Sequence, residues 1–225
     1  SIRSDLSKTR RATLELTRDL GPEDCQLQSM ADVSPTKWHL GHTTWFFETF
    51  VLEPHLPGYV PRSAHYKSIF NSYYEAVGPK HPRPARGELS RPTLSEVLAY
   101  RAHVDEAMER VHLEGAAGAL VELGIHHEQQ HQELLVMDIK YTFSRSPLRP
   151  AYRTDPLPPA PAGPEQRWLT VEGGLHTFGA DGARFFFDNE GPKHKRYLDT
   201  FQISNRLVTN ADMLAFLEDG GDASS

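Results

Sequence analysis

The chain has little cysteine, no long apolar run and no excess of positive charge. One cysteine, Cys25, stands among 225 residues, so no disulfide can close within the chain, and a reducing compartment is the expected setting. No stretch approaches the roughly 18 apolar residues of a membrane span. Lysine and arginine number 24 against 30 acidic residues, a net charge of −6. A chain so charged is not built throughout to neutralise a phosphate backbone, and nucleic acid is not an expected partner. No basic segment leading into an apolar run follows Ser1, so no secretion signal is read and the cytoplasm is the expected location. What is present, 38% hydrophobic and 24% charged residues, suits a globular fold and not disorder.

Residues 1–150 read as four main helices. The first follows Ser4, carries Leu6, Leu14 and Leu20 among charges, and ends near Gly21-Pro22. The second starts at Ser34-Pro35, an N-cap followed by proline at the first helical position, and runs to about Leu52, before Pro54. Its stripe is Trp38, His42, Trp45, Thr49 and Leu52. The third starts at a capping box, Thr93-Leu-Ser-Glu96, and buries Leu94, Val97, Val104, Met108 and Val111. The fourth spans about Ala117 to Phe143, with Leu120, Leu123, His127, His131, Leu134 and Tyr141 on or near one face expected to be buried. The connection from about Pro54 to Pro92 is long enough to be functional or to hold short elements of its own.

Prolines 156, 158, 159, 161 and 164 make a stiff linker, taken as 151–166, and mark a domain boundary. Beyond it, Trp168–Val171 reads as a strand, Gly173-Gly174 as a turn and Leu175–Phe178 as the partner strand. Tyr197–Ile203 reads as one more strand, and Thr209 caps a short helix ending at Gly220-Gly221. Only about 60 residues lie beyond the linker, and their aromatic strands need partners, so this region is expected to be incomplete.

The chemistry concentrates on histidine. His127 and His131 are four apart, so on a helix both imidazoles aim at one point. A third imidazole from the second helix completes a three-nitrogen face and leaves the far side of a metal open, as a catalytic ion requires. His39 and His42 are both available; His42 is favoured because it is centred between Trp38 and Trp45. Core histidines hydrogen-bonded among aromatics, or polar histidines on a solvated face, are the plainer readings. His127-Glu-Gln-Gln-His131 also matches the zinc-protease pattern, with Glu128 about 100° round the helix as a base, but no third ligand follows downstream. Glu133 is about 200° from His131 and suits a supporting hydrogen bond, not a ligand. In Lys80-His-Pro-Arg-Pro-Ala-Arg86, Arg83 or Arg86 could clamp a substrate carboxylate, the alternative being a solvated loop.

Together these segments resemble a family. Ser34-Pro-Thr-Lys-Trp-His-Leu-Gly-His-Thr-Thr-Trp-Phe-Phe-Glu48, Phe70-Asn-Ser-Tyr-Tyr-Glu-Ala-Val-Gly78, His81-Pro-Arg-Pro-Ala-Arg-Gly87 and His127-Glu-Gln-Gln-His-Gln-Glu133 are similar to the bacterial sulfoxide synthases of ergothioneine biosynthesis. Gly173-Gly-Leu-His-Thr-Phe-Gly179, Asp188-Asn-Glu-Gly-Pro192 and Leu207-Val-Thr-Asn210 resemble the opening of that family's second domain.

The resemblance implies an α+β multidomain protein. A DinB-like four-helix bundle (1–150) is followed by the start of a C-type-lectin-like, sulfatase-modifying-factor-like domain (167–225). It implies an oxidoreductase with Fe(II) on His42, His127 and His131. Such an enzyme uses O₂ to join the sulfur of cysteine or γ-glutamylcysteine to the imidazole of hercynine as a sulfoxide. It places a catalytic tyrosine and much of the hercynine pocket beyond Ser225, so no catalytic residue is assigned and this chain alone is expected to bind metal with little or no synthase activity. A two-histidine, one-carboxylate face is the commoner oxygenase arrangement; helical phase and resemblance together favour three histidines. Two rivals stand beside this reading: a divalent-metal-dependent thiol transferase of DinB type, and a non-catalytic metal-binding module.

Overall fold

A computed structural model describes residues 1–156 and 163–221. Prolines 158, 159 and 161 of the linker lie outside the described residues. The chain divides into two compact units, Ser1–Asp155 and Pro156–Ser225.

The first unit is helical. Helix α1 (Ile2–Thr17) lies along α7 (Gly115–Arg145) and buries Leu6, Thr9, Arg10 and Thr13. Leu14, expected among its apolar positions, is exposed. The short α2 (Pro22–Gln26) has proline in its first turn, and Asp24 accepts the Gly21 amide at 2.9 Å. Helix α3 (Thr36–Phe47) is buried at all twelve positions, so it is the central rod of the bundle and not a helix with one apolar stripe. It runs on through a π-helical turn, Glu48–Leu52, into α4 (Glu53–His55). The expected stop before Pro54 therefore does not occur. A proline ring collides with carbonyls of the preceding turn, and the wider turn upstream relieves that collision.

The long connection holds α5 (Tyr66–Ile69) and two 3₁₀ turns, Glu75–Val77 and Arg83–Glu88. Helix α6 (Leu94–Met108) opens with the expected capping box: Thr93 Oγ1 accepts the Glu96 amide at 3.2 Å and Glu96 accepts the Thr93 amide at 2.6 Å. The core joins Trp45, Phe46 and Phe47 of α3 to Val97, Tyr100 and Val104 of α6 and Val121 and Ile125 of α7. Helices α3 and α7 touch at a glycine. A Cβ on Gly124 would lie 2.5 Å from Phe47 and 2.9 Å from Phe46, so only glycine lets α7 come this close, one turn before His127.

The buried face of α7 is not the expected one. Leu123, Leu134 and Tyr141 are exposed; Val121, Gly124, Ile125, Glu128, Leu135, Asp138 and Ile139 are buried instead. Both α1 and α3 pack on this helix, so its inner arc includes two acidic residues that an apolar pattern passes over. His127 and His131 sit at the margin of that arc, half-buried.

The second unit has strands β1 (Trp168–Val171), β2 (Gly174–Phe178), β3 (His194–Leu198) and β4 (Phe201–Ser204), then α8 (Asn210–Glu218). β1 pairs antiparallel with β4, Trp168 opposite Ser204; β2 pairs antiparallel with β3, Gly174 opposite Leu198. The expected β1–β2 hairpin is therefore corrected, as is the single strand over Tyr197–Ile203. Gly173 is no hairpin tip. It marks where one strand of a long ribbon breaks, its amide bonding Thr200 Oγ1 at 3.0 Å across the matching break at Asp199-Thr200. Thr209 caps α8 by accepting the Asp212 amide, and Arg206 grips the Asp212 carboxylate. An α+β composition follows, helical first and antiparallel afterwards.

Candidate metal centre

Helical spacing on α7 stacks His127 under His131, and the Gly124 contact presses that face toward His42 on α3. The structure brings the three expected imidazoles together: one ring nitrogen from each lies within 4.8 Å of the others. His42 Nε2 and His127 Nε2 are 3.2 Å apart. His42 is sandwiched between indoles, with Trp38 at 4.5 Å and Trp45 at 5.4 Å between ring centroids, both nearly parallel. Its Nδ1 donates to the Phe70 carbonyl at 2.6 Å. Gly41 makes room for the Phe70 ring, which a Cβ there would meet at 2.1 Å.

His39 does not join the cluster. Its Nδ1 meets His131 Nδ1 at 2.9 Å, and its Nε2 meets Asp138 Oδ2 at 3.0 Å. That same carboxylate oxygen accepts the Ser34 amide at 2.9 Å. Glu133 is exposed and outside the cluster.

Burial sets the electrostatics. Desolvation, then the neighbouring His127, holds His42 well below the ordinary histidine range. Desolvation, then His42, does the same to His131. Desolvation brings His127 down to about 4. The site thus offers three neutral imidazoles, the form that binds metal. Two Nε2 atoms facing at 3.2 Å cannot both present lone pairs without a proton or cation between them. His127 Nδ1 is buried with no partner at all. A donor set of three nitrogens with an orphaned ring atom fits a metal ion of the nitrogen-preferring first row.

The cluster opens into a cavity of about 560 Å³, which Ser72, Tyr73, Tyr74, Arg83, Arg86 and Gln130 also line. Arg86, only 5% exposed, stacks its guanidinium 3.3 Å from the Trp38 ring centroid. It donates to Ser34 Oγ at 2.9 Å and Ser72 Oγ at 3.3 Å, while its Nε is buried without a partner. No carboxylate pairs with it among the described residues. Desolvation, then Arg83, pulls it down to about 10, so it remains a cation at neutral pH. Arg83 is exposed and donates to the Tyr73 hydroxyl at 3.2 Å. A buried unpaired guanidinium is costly, and an anion in the cavity would offset that cost.

Glu128 cannot serve as a base beside the histidines. It is fully buried on the other side of α7, accepting from Arg10 at 2.9 Å, from Thr13 at 2.5 Å and from Arg101. Burial pushes its carboxyl up, but Arg10 and Arg101 more than offset this and hold it down at about 2. The zinc-protease reading loses its general base.

Sequence reasoning missed Asp138, Arg10 and Arg101. Asp138 was legible in principle, lying two helical turns after His131 on the same side. The two arginines carried no local signal, because their partner is more than 25 residues away in sequence.

Fold and site together define a helical bundle with a tri-imidazole site on its inner helices. Residues 5–135 match the DinB superfamily, and the chain belongs to it. It is also similar to proteins named hercynine oxygenase. The one from Mycolicibacterium thermoresistibile is 29% identical over 212 residues, covering 88% of this chain and 44% of that protein. The one from Mycolicibacterium smegmatis is 27% identical over 231 residues, covering 98% and 51%. The one from Mycobacterium tuberculosis is 30% identical over 231 residues, covering 96% and 50%. These matches bear out the family resemblance read from the motifs. The chain spans about half the length of these relatives. Among the described residues no helix is long and apolar enough to cross a membrane.

Proposed function

We propose that the protein to which this chain belongs is a cytoplasmic, Fe(II)- and O₂-dependent hercynine oxygenase. It joins the sulfur of cysteine or γ-glutamylcysteine to the C2 position of hercynine's imidazole and yields the sulfoxide. The observation that carries the reading is the placement of His42, His127 and His131 within 4.8 Å at the edge of a cavity that also holds an unpaired buried arginine. We assign 1–150 to the metal-binding bundle, 151–166 to the linker, and 167–225 to the start of a C-type-lectin-like, sulfatase-modifying-factor-like domain.

Each side chain has a role that its position supports. The three imidazoles supply neutral nitrogen donors on one side of the ion, leaving the cavity side for reactants. Fe(II), when bound there, supplies the redox chemistry that couples O₂ to formation of the carbon–sulfur bond. Arg86, locked flat on Trp38 by two serine hydroxyls, binds a carboxylate of the thiol substrate and fixes its orientation relative to the imidazoles. Arg83 adds a second positive charge at the cavity wall. The indoles beside His42 keep water from that imidazole.

Two measurements test this. Anaerobic Fe(II) titration of this chain should show one ion bound, lost in His42→Ala. The full-length protein with Fe(II), O₂, hercynine and each thiol should give the sulfoxide, and Arg86→Lys should raise KM for the thiol by about tenfold or more, the loss of a bidentate contact. Thiol transfer without O₂ uptake would instead assign the protein to the metal-dependent thiol transferases.

A further inference from the structure

Behind the three imidazoles lies a row of hydrogen bonds that a metal-binding role alone does not require. It runs from the Ser34 amide through Asp138 and His39 to His131. We infer that Asp138 and His39 are positioning residues that fix the tautomer of His131 and so direct its Nε2 lone pair to the cluster. The inference rests on the metal reading above and adds residues that the reading does not use.

The argument is one of donors and acceptors. Asp138 Oδ2 already accepts the Ser34 amide at 2.9 Å, and a carboxylate has no proton to give. His39 Nε2, 3.0 Å from that oxygen, is therefore the donor. His39 is 3% exposed, and a desolvated neutral imidazole carries a single N–H. With that hydrogen on Nε2, His39 Nδ1 can only accept. The nitrogen it faces at 2.9 Å, His131 Nδ1, must donate. The lone pair of His131 is left on Nε2.

The same logic holds on the other helix by a shorter route. The Phe70 carbonyl can only accept, so His42 Nδ1 carries the hydrogen and His42 Nε2 the lone pair. Two of the three imidazoles therefore have their tautomers set by the surrounding fold, one by a backbone carbonyl and one by a carboxylate–histidine pair. His127 Nε2 faces the His42 lone pair at 3.2 Å and so carries the hydrogen in the metal-free chain, while its Nδ1 has no partner; it is the one imidazole whose hydrogen must move before Nε2 can hold an ion. A purely structural Asp138 would tie the start of α3 to α7 through Ser34 and leave His131 in either tautomer.

Nitrogen-15 NMR of the metal-free 225-residue chain, with histidines labelled, reads the tautomers directly. The expected result is hydrogen on Nδ1 of His131 and His42 and on Nε2 of His39; hydrogen on Nε2 of His131 overturns the inference. Co(II) titration is the second arm. His39→Leu and Asp138→Ala should each weaken binding about 10- to 100-fold. The double variant should be no weaker than the weaker single, because both act through one row of bonds. His39→Gln, whose side-chain oxygen can accept from His131 Nδ1, should recover part of the loss, and it carries this arm if His39→Leu does not fold. Binding by folded His39→Leu or His39→Gln equal to the unaltered chain, together with equal binding by Asp138→Ala, overturns the inference. An unaltered chain that binds no Co(II) defeats the metal reading, and the nitrogen shifts still decide the tautomers.

Discussion

Helix α7 carries two polar clusters, which start from adjacent residues, His127 and Glu128, and are opposite in character. On one side Glu128 meets Arg10, Arg101 and Thr13, and every charge has a partner. On the other side His127 and His131 meet His42, three neutral imidazoles with one N–H each, and His127 Nδ1 is left without a partner. Glu128 is fully buried and His127 and His131 are half-buried, yet desolvation acts on both clusters. The difference is pairing. The glutamate cluster pairs its charges within the chain and fastens α1 and α6 to α7; the histidine cluster keeps an unpartnered ring nitrogen beside a cavity. A buried charge that is already paired holds a fold, and a buried lone pair that is not paired invites a ligand.

Breaking the complete cluster should have the largest effect. Glu128→Ala leaves two buried guanidinium groups facing each other, and the expected cost is about 3–5 kcal/mol in a denaturant titration. A loss under about 1 kcal/mol would mean that the arginines relax into solvent and that the pairing contributes little.

Acid should separate the clusters by pH. His127 is displaced downward, from 6.5 in the unfolded chain to about 4, so the unfolded state takes up protons first. Stability present above 6.5 is lost as pH falls toward about 4. Glu128 is also displaced downward, from 4.5 to about 2, so its contribution is present above 4.5 and is lost as pH falls toward about 2. The His127 and Glu128 shifts each correspond to on the order of 3 kcal/mol, and the lowered His42 and His131 act in the same direction as His127. Metal-free protein followed by urea titration at stepped pH should show two descents, and Glu128→Gln should remove the lower one alone. A single descent below pH 4 would refute the histidine window.

Breaking the incomplete cluster should spare the fold. His131→Ala is expected to weaken Co(II) or Fe(II) binding at least about 100-fold, about 2.7 kcal/mol, while costing the metal-free protein less than half of what Glu128→Ala costs. A collapse of the metal-free fold would show that the imidazoles are packing groups first. The smallest effect belongs to Glu133, which lies outside both clusters. Glu133→Ala should change stability by less than about 0.5 kcal/mol and leave metal affinity unchanged.

The local chemistry of the chain was written in its order of residues. The capping box at Thr93 and the four-residue spacing of His127 and His131 follow from short-range rules, because helix starts and faces depend on neighbours within one or two turns; at α3 the N-cap is Pro35 and not the expected Ser34, whose hydroxyl accepts from Arg86 instead. The segments of family resemblance were likewise legible. The choice of His42 over His39 could be argued from the neighbouring tryptophans, but what His39 does instead could not, because its partner Asp138 is 99 residues away.

What the tertiary structure alone decided was pairing over distance. It turned α7 so that Glu128 and Asp138 face inward and Leu123 outward, carried α3 through Pro54, and joined β1 to β4 in place of β2. Each outcome depends on what another segment presents: the arginines of α1 and α6, the wide turn before Pro54, the break at Thr200. A sequence specifies which groups can bond and where helices begin. Which buried groups find partners, and which remain open to a ligand, is settled only when distant segments close on one another.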